Sequence, residues 1–309
     1  MGDIKRMNYY TCYKIFEQIY ESPTVKNYEI GNKAKICRNI IPRYLKTMYA
    51  QGIVRGPFLF MKATPEYKEY VYLMNFQDPL FAFERLKAFP HVVYTGMTSG
   101  DWNVIVVTDR LLDLSRLEGA EHVGFKGFVD YRETPKVQYI RWENSFEKID
   151  QEIESFSPVQ KEPRICNVTP SLYWEKDEWT LYHIFKYDMR KKTTALLRKN
   201  GIRYDTFTKW KNELVKYCTV HTEFYPKGYD EYLRYSFLFS TDYPEKVKSV
   251  FSFFPATPIF MELDNHLFTI LSLESFGCIK KLFRSIFAMK AKNIINGYRT
   301  AIVINHERM

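Results

Sequence analysis

The chain matches itself when displaced by a fixed interval, and this constrains its fold more than any other feature. Glu66, Tyr67, Tyr70 and Leu73 fall on Glu231, Tyr232, Tyr235 and Leu238, an offset of 165 residues. At the same offset Pro79, Phe89 and Pro90 fall on Pro244, Phe254 and Pro255, and Lys46 falls on Lys211. The apolar pattern moves with these identities. Tyr70 to Phe76 overlays Tyr235 to Thr241, and Val104 to Asp109 overlays Thr269 to Glu274. One unit used twice explains this, so one half should work in a way related to the other. The interval far exceeds that of solenoid repeats, so the expectation is a duplicated module and not an array.

Each copy begins with a helical segment. Asn8 to Glu21 places Tyr9, Cys12, Tyr13, Phe16, Ile19 and Tyr20 on one stripe, and Ser22-Pro23 closes it. A second helix is expected over 25–34 and a third over 38–51, with Ile41, Tyr44, Leu45 and Met48 inward. Gly52 then supplies the left-handed residue beyond the helix end. Ile53-Val54 and Phe58-Leu59-Phe60 read as two strands of a wing around Arg55-Gly56-Pro57. The second copy offers helices over 180–188, 191–199 and 206–217, the last N-capped by Asp205, and a wing over 219–227. Short helices followed by a hairpin describe a winged helix-turn-helix, whose third helix enters the major groove of DNA.

Each copy continues with alternating apolar segments. Strands are expected over 70–76, 92–97, 102–108 and 123–131, with helices over 79–89 and 111–117. The order βαββαβ is that of the ferredoxin-like fold. It returns over 232–239, 244–254, 256–263, 267–273, 276–289 and 296–304. The predicted fold class is therefore α+β: two copies of a winged helix-turn-helix followed by a ferredoxin-like domain. The domain boundaries fall at 1–66, 67–133, 177–228 and 229–309. Residues 134–176, with Pro135, Pro158, Pro163 and Pro170, form a linker that carries a helix over 146–156.

Charge follows the same division. Of the net +9, residues 1–66 hold +6 and residues 177–228 hold +5, whereas 67–133 hold −3, 134–176 hold −1 and 229–309 hold +2. Positive charge gathered twice is the electrostatic footprint of a polyanion binder. No run of about 18 apolar residues and no signal-type core is present, so a cytoplasmic protein without a membrane partner is expected. Cys12, Cys37, Cys166, Cys218 and Cys278 are scattered without a C-x-x-C pair, which argues against disulfides and structural zinc and for buried thiols. The histidines His91, His122, His183, His221, His266 and His306 are dispersed, and no nucleophile motif, phosphate loop or metal-ligand spacing emerges. The expectation is a protein that is not an enzyme, with no catalytic residue, cofactor or metal.

One stretch resembles a known family. Glu29 to Lys46, followed by Gly52-Ile53-Val54, resembles the helix-turn-helix of the Lrp/AsnC (feast/famine) transcription regulators. A ferredoxin-like domain after a winged helix is also that family's architecture, so the resemblance covers most of the chain as a tandem duplication. It implies a double-stranded DNA partner, with Arg38, Asn39, Arg43 and Lys46 on or beside the reading helix and Lys35 and Arg55 near it. In the second copy the groove-facing candidates are Arg203, Thr206, Lys209 and Lys211, with Arg190, Lys191, Lys192, Arg198 and Lys199 for phosphates. Lys35 stands where the family has a turn glycine, Cys37 where it prefers a capping serine, and Pro42 lies inside the reading helix.

Gly100-Asp101-Trp102-Asn103 looks like the hairpin near which family members bind amino-acid effectors. Gly100, Asp101 and Asn103 are therefore effector candidates, beside the plainer reading of a tight turn. The second copy has Asp264-Asn265-His266 there, so an effector site is expected in one half. Paired open sheet faces would make one chain a pseudo-dimer, alone or within a homodimer, reading half-sites about 34 Å apart. Two alternatives stand beside this regulator. One is sequence-independent nucleic-acid binding. The other is a tetrapyrrole enzyme, because siroheme decarboxylases share the two-part architecture.

Overall fold

Alternation at period two builds the centre of this molecule. In β2 (Tyr70–Phe76), Val71 and Leu73 join one buried cluster while Tyr72, Met74 and Phe76 join another on the opposite face. The structure is a computed structural model describing residues 7–157 and 169–309; Pro158, Pro163 and Cys166 lie outside the described residues. Further strands are β3 (Val92–Gly100), β4 (Val104–Thr108) and β5 (Ala120–Glu133) in the first half. The second half supplies β7 (Leu233–Ser240), β8 (Ile259–Leu263), β9 (His266–Leu273) and β10 (Gly297–Arg308).

These eight strands close into a barrel in the order β10-β3-β4-β2-β5-β8-β9-β7. Each half contributes four neighbouring strands, and the halves are sewn together where β5 pairs with β8 and β10 with β3. In place of separate ferredoxin-like sheets that meet only by their faces, the halves form one mixed α/β body fused at its edges. Closure leaves no unpaired edge to be satisfied by another chain. Val71, Ile105, Val107, Ile259, Met261, Phe268 and Ile270 cluster inside the barrel.

Helices cover the outside unequally. The first half has α4 (Pro79–Leu86), and the helix expected over 111–117 is only a 3-10 turn, Leu114–Arg116. The second half has α9 (Pro244–Ser252) and α10 (Phe276–Ala291). Helix α5 (Trp142–Glu154), inside the expected linker, adds Trp142, Phe146, Ile149 and Ile153 to the cluster containing Phe251, Leu282 and Ile286. Burying each large side chain contributes roughly 1.5–3 kcal/mol, so α5 belongs to this core and is no tether.

The helical segments stand beside the barrel. The first holds α1 (Tyr9–Glu21), α2 (Asn27–Ala34) and α3 (Ile41–Ala50); the second holds α6 (Lys176–Phe185), α7 (Thr193–Asn200) and α8 (Tyr204–Tyr217). Asn8 caps α1 by accepting the Tyr10 N–H at 2.9 Å. Helix α3 starts later than expected, leaving Arg38 and Asn39 in the preceding turn and placing Pro42 in the first helical turn. There its missing N–H removes no helical hydrogen bond.

The expected wings are not hairpins. β1 (Val54–Met61) runs through Gly56-Pro57 as one strand and pairs antiparallel with β6 (Cys218–Phe224), from Val54 opposite Phe224 to Met61 opposite Cys218. Each half thus supplies one strand of a shared ribbon. Among the described residues, no helix is long and apolar enough to cross a membrane. Cys12, Cys218 and Cys278 are buried thiols, but Cys37 is exposed.

Candidate functional site

The barrel interior is not filled to its end. A cavity of about 320 Å³ opens between the barrel, the β1–β6 ribbon and α6. Its inner wall is apolar, made of the inward residues Val71, Ile105, Val107, Ile259, Met261 and Phe268. Its outer wall carries Arg132 from β5, Arg308 from β10, His221 and Glu223 from β6, and His183 and Lys186 from the helical side. Eight-stranded barrels can hold one small ligand in this way.

The polar wall is organised around two buried carboxylates. Arg132 Nη2 lies 2.8 Å from Glu69 Oε2, both side chains are 8% exposed, and the guanidinium sits 4.2 Å from the Phe60 ring centroid. The Tyr67 hydroxyl donates to the other Glu69 oxygen at 3.0 Å. Glu223, 1% exposed, takes Arg308 Nη2 at 3.1 Å and Arg55 Nη1 at 3.6 Å. His221 is 2% exposed, and its Nε2 lies 2.7 Å from Thr219 Oγ1. Burial, and then the charges of Arg132 and Arg308, hold its imidazole well below the usual range, so it is neutral at pH 7. Lys186 Nζ donates to the Met309 carbonyl at 2.8 Å, and burial lowers its pKa. His183 is exposed at the cavity mouth.

Not all of this wall is satisfied. Arg132 Nε, Arg308 Nη1 and His221 Nδ1 are buried without a hydrogen-bond partner. A buried polar group left unpaired costs about 1–3 kcal/mol, and these three nitrogens belong to residues that line one cavity.

The residues expected to touch DNA lie elsewhere. Lys35, at φ 56°, is the left-handed residue ending α2, and it is exposed. Arg38, Asn39, Arg43, Lys46, Lys192, Lys199, Arg203, Lys209 and Lys211 are also exposed, while Thr206 is half-buried. Arg38, Asn39 and Lys211 meet in a cleft of about 940 Å³ between the two helical segments. Lys211 Nζ reaches Thr24 Oγ1 across it at 3.1 Å. Arg190, a phosphate candidate, instead donates to the carbonyl oxygen of Val25 at 2.9 Å and so ties the segments together. Arg55 is corrected outright: it pairs with Glu223 and lies 3.6 Å from the Tyr229 ring centroid, so it presents no guanidinium to a duplex.

The effector candidates have structural partners. The Thr300 N–H donates to Asp101 Oδ2 at 2.7 Å, and Asp101 N–H donates to the Thr300 carbonyl at 3.0 Å. Gly100, at φ +152°, lies against Thr300 and Ala301 where a Cβ would clash, so β10 can approach this hairpin only at glycine. Asn103 exchanges both amide groups with the Phe76 backbone at 2.9 and 2.8 Å. Gly100, Asp101 and Asn103 thus join strand ends, with Asp101 exposed. The cavity residues escaped sequence reading; the one local signal was His221 and Glu223 alternating on a strand taken for a wing.

No protein-family model matches the chain, and no curated protein matches it. Among solved structures, the siroheme decarboxylase NirDL is 12% identical, with a TM-score of 0.46 over 96% of this chain and 91% of that one. NirDL in complex with an iron-uroporphyrin III analogue is 12% identical, with a TM-score of 0.43 over 97% and 92%. AsnC of E. coli is 11% identical, with a TM-score of 0.32 over 43% of this chain and 94% of that one. These two matches over nearly the whole chain are to an enzyme and so run against the expectation of a protein that is not one. Likeness at this level says nothing of site chemistry, which rests on the cavity itself.

Proposed function

We propose that the cavity binds an apolar molecule bearing carboxylates, a tetrapyrrole of the siroheme class, and that the chain acts on it as a decarboxylase. One observation carries this reading: unpartnered nitrogens of Arg132, Arg308 and His221 gather at the mouth of an apolar barrel interior. A carboxylate accepts charge-assisted hydrogen bonds from such guanidiniums, while the ring packs on hydrocarbon. At about 320 Å³ the cavity would take part of such a ring, with a carboxylate at the arginines of the mouth.

The chemistry follows from the surroundings. Breaking the bond between the side-chain carbon and its carboxylate releases carbon dioxide and leaves the electron pair on that carbon, which then takes a proton. His183, at the mouth, is our candidate for the source of that proton, with partial burial and then the Lys186 charge lowering its pKa so that acid favours the donating form. The apolar wall excludes water from the carboxylate and so favours its loss as a neutral gas. We read the two halves as copies of one unit, a reading supported by their strands following one another in the same order around the barrel.

Titration with siroheme and with heme, followed in the visible spectrum, tests it. A saturable band shift should appear, weakened roughly tenfold in Arg308→Gln, and mass spectrometry should show loss of carbon dioxide from the siroheme. An unchanged spectrum with both pigments refutes the reading. Nucleic-acid binding by the helical segments is the second reading. It is favoured because Arg38, Arg43, Lys46, Lys199 and Lys209 are exposed and make no ion pair among the described residues.

A further inference from the structure

A second recess lies on the other side of Glu223 from the cavity. It measures about 600 Å³ and is bounded by the end of α3, the loop 227–231 and the outer ends of β7 and β10. Its floor is an aromatic-cation stack: Arg55 lies 3.6 Å and Arg234 4.1 Å from the Tyr229 ring centroid. The Tyr229 hydroxyl is 2.6 Å from His306 Nε2. Gly228, at φ +97°, passes so close to the Gln51 carbonyl that any Cβ would clash, which seats the Tyr229 loop against α3.

The charges here do not balance. Arg55, Arg234 and Arg308 surround His306, and burial followed by these three guanidiniums pushes its imidazole down to about 3. The buried carboxylate among them is Glu223, which is bound to Arg55 and Arg308 but not to Arg234. Asp230 and Glu231 line the rim, yet neither pairs with these arginines among the described residues. Arg234 Nε and Nη1, with Arg55 Nη1 and His306 Nδ1, are buried without a hydrogen bond. Stacking on Tyr229 offsets part of the desolvation of Arg234 but satisfies none of its N–H groups. Among the charged side chains that line the recess, Arg55, Lys227 and Arg234 outnumber Asp230 and Glu231, and the unpaired nitrogens of Arg234 suit an anion that brings the missing acceptors.

We infer that this recess is a binding site for a small oxyanion carrying two negative charges, of the phosphate or dicarboxylate class, held by Arg234 and Arg55. The ligand accepts from the Arg234 fork while Tyr229 keeps the guanidinium planar against it. The inference is independent of the tetrapyrrole reading, since no pigment enters its test.

Calorimetry and thermal melting of the full chain should be run with sodium phosphate and with sodium succinate, against sodium chloride at matched ionic strength. At least one of the two anions should bind saturably and raise the melting temperature. Arg234→Gln should weaken that binding roughly tenfold or more while melting no lower than wild type in chloride, because it removes an uncompensated charge. If Arg234→Gln does not fold, Arg234→Lys serves, with binding weakened several-fold by loss of the planar fork. No saturable response to either anion overturns the inference. So does binding unchanged by the substitution.

Discussion

Two populations of cationic side chain divide this molecule. On the helical segments Arg38, Arg43, Lys46, Lys199 and Lys209 stand in water. At the barrel end Arg132, Arg308, Arg55 and Arg234 lie against Phe58, Phe60 and Tyr229, and three of them reach a buried carboxylate. An exposed cation keeps its hydration and costs nothing while unpaired; its influence fades within about 8–10 Å in physiological salt. A desolvated one must find a carboxylate, a ring face or a ligand. Net charge therefore describes the first group well and the second hardly at all. Arg132 lies in a segment whose net charge is −3.

The strongest test of this contrast is Arg132→Met. It strands Glu69 in the interior, and breaking a buried pair in this way costs about 3–5 kcal/mol, readable by urea denaturation. Replacing Glu69 by Met as well should recover most of that loss without restoring ligand binding. A cost for the single change below about 1 kcal/mol, the level of a surface pair, would erase the distinction between the two groups.

Acid sharpens the comparison. His221 and His306 titrate below the ordinary histidine value in the folded protein, because burial and neighbouring arginines disfavour their charged forms. As pH falls below about 6.5 the unfolded imidazoles gain protons that the folded ones refuse, so stability declines. For His306 the decline ends near its folded value of about 3. Urea midpoints measured from pH 7 to pH 4 should fall, and His306→Asn should flatten the slope. A slope unchanged by that substitution would mean that the arginine cluster does not govern this imidazole.

The smallest expected effect is that of replacing Arg38 and Arg43 together by Ala. Stability should change by no more than about 0.5 kcal/mol, as for other exposed positions. Any affinity for duplex DNA should fall, with a shallower salt dependence by about 0.9 per lost phosphate contact. A melting temperature lowered by many degrees would move these residues into the structural group.

Local features were legible to different depths. Tyr70 to Phe76 reads as a strand and is one, because alternation over seven residues leaves little choice. Pro244 starts its helix where expected, since proline suits a first turn. Leu111 to Leu117 reads as a helix but makes a single 3-10 turn, where Asp113 binds the Ser115 backbone and side chain. Gly56-Pro57 looks like a turn, yet β1 continues past it with an irregularity, because β6, far away in the chain, pairs with Val54 and Arg55 before it and with Phe58 to Met61 after it. The same distance hid the cavity. Neither Arg55 nor Arg308 carries any local sign of Glu223, and Arg132 carries none of Glu69.

By itself the sequence determined most of the helices and strands, their order and the places where charge accumulates. These depend on backbone preferences and on periodicities of two or 3.6 residues, which act over a turn or a strand. Tertiary structure alone decided that β5 meets β8, that β10 meets β3, and that the two wings expected to be separate are one ribbon. It also decided which arginines lose their water. Both outcomes follow from barrel closure, where pairing and desolvation are settled between residues with no proximity along the chain.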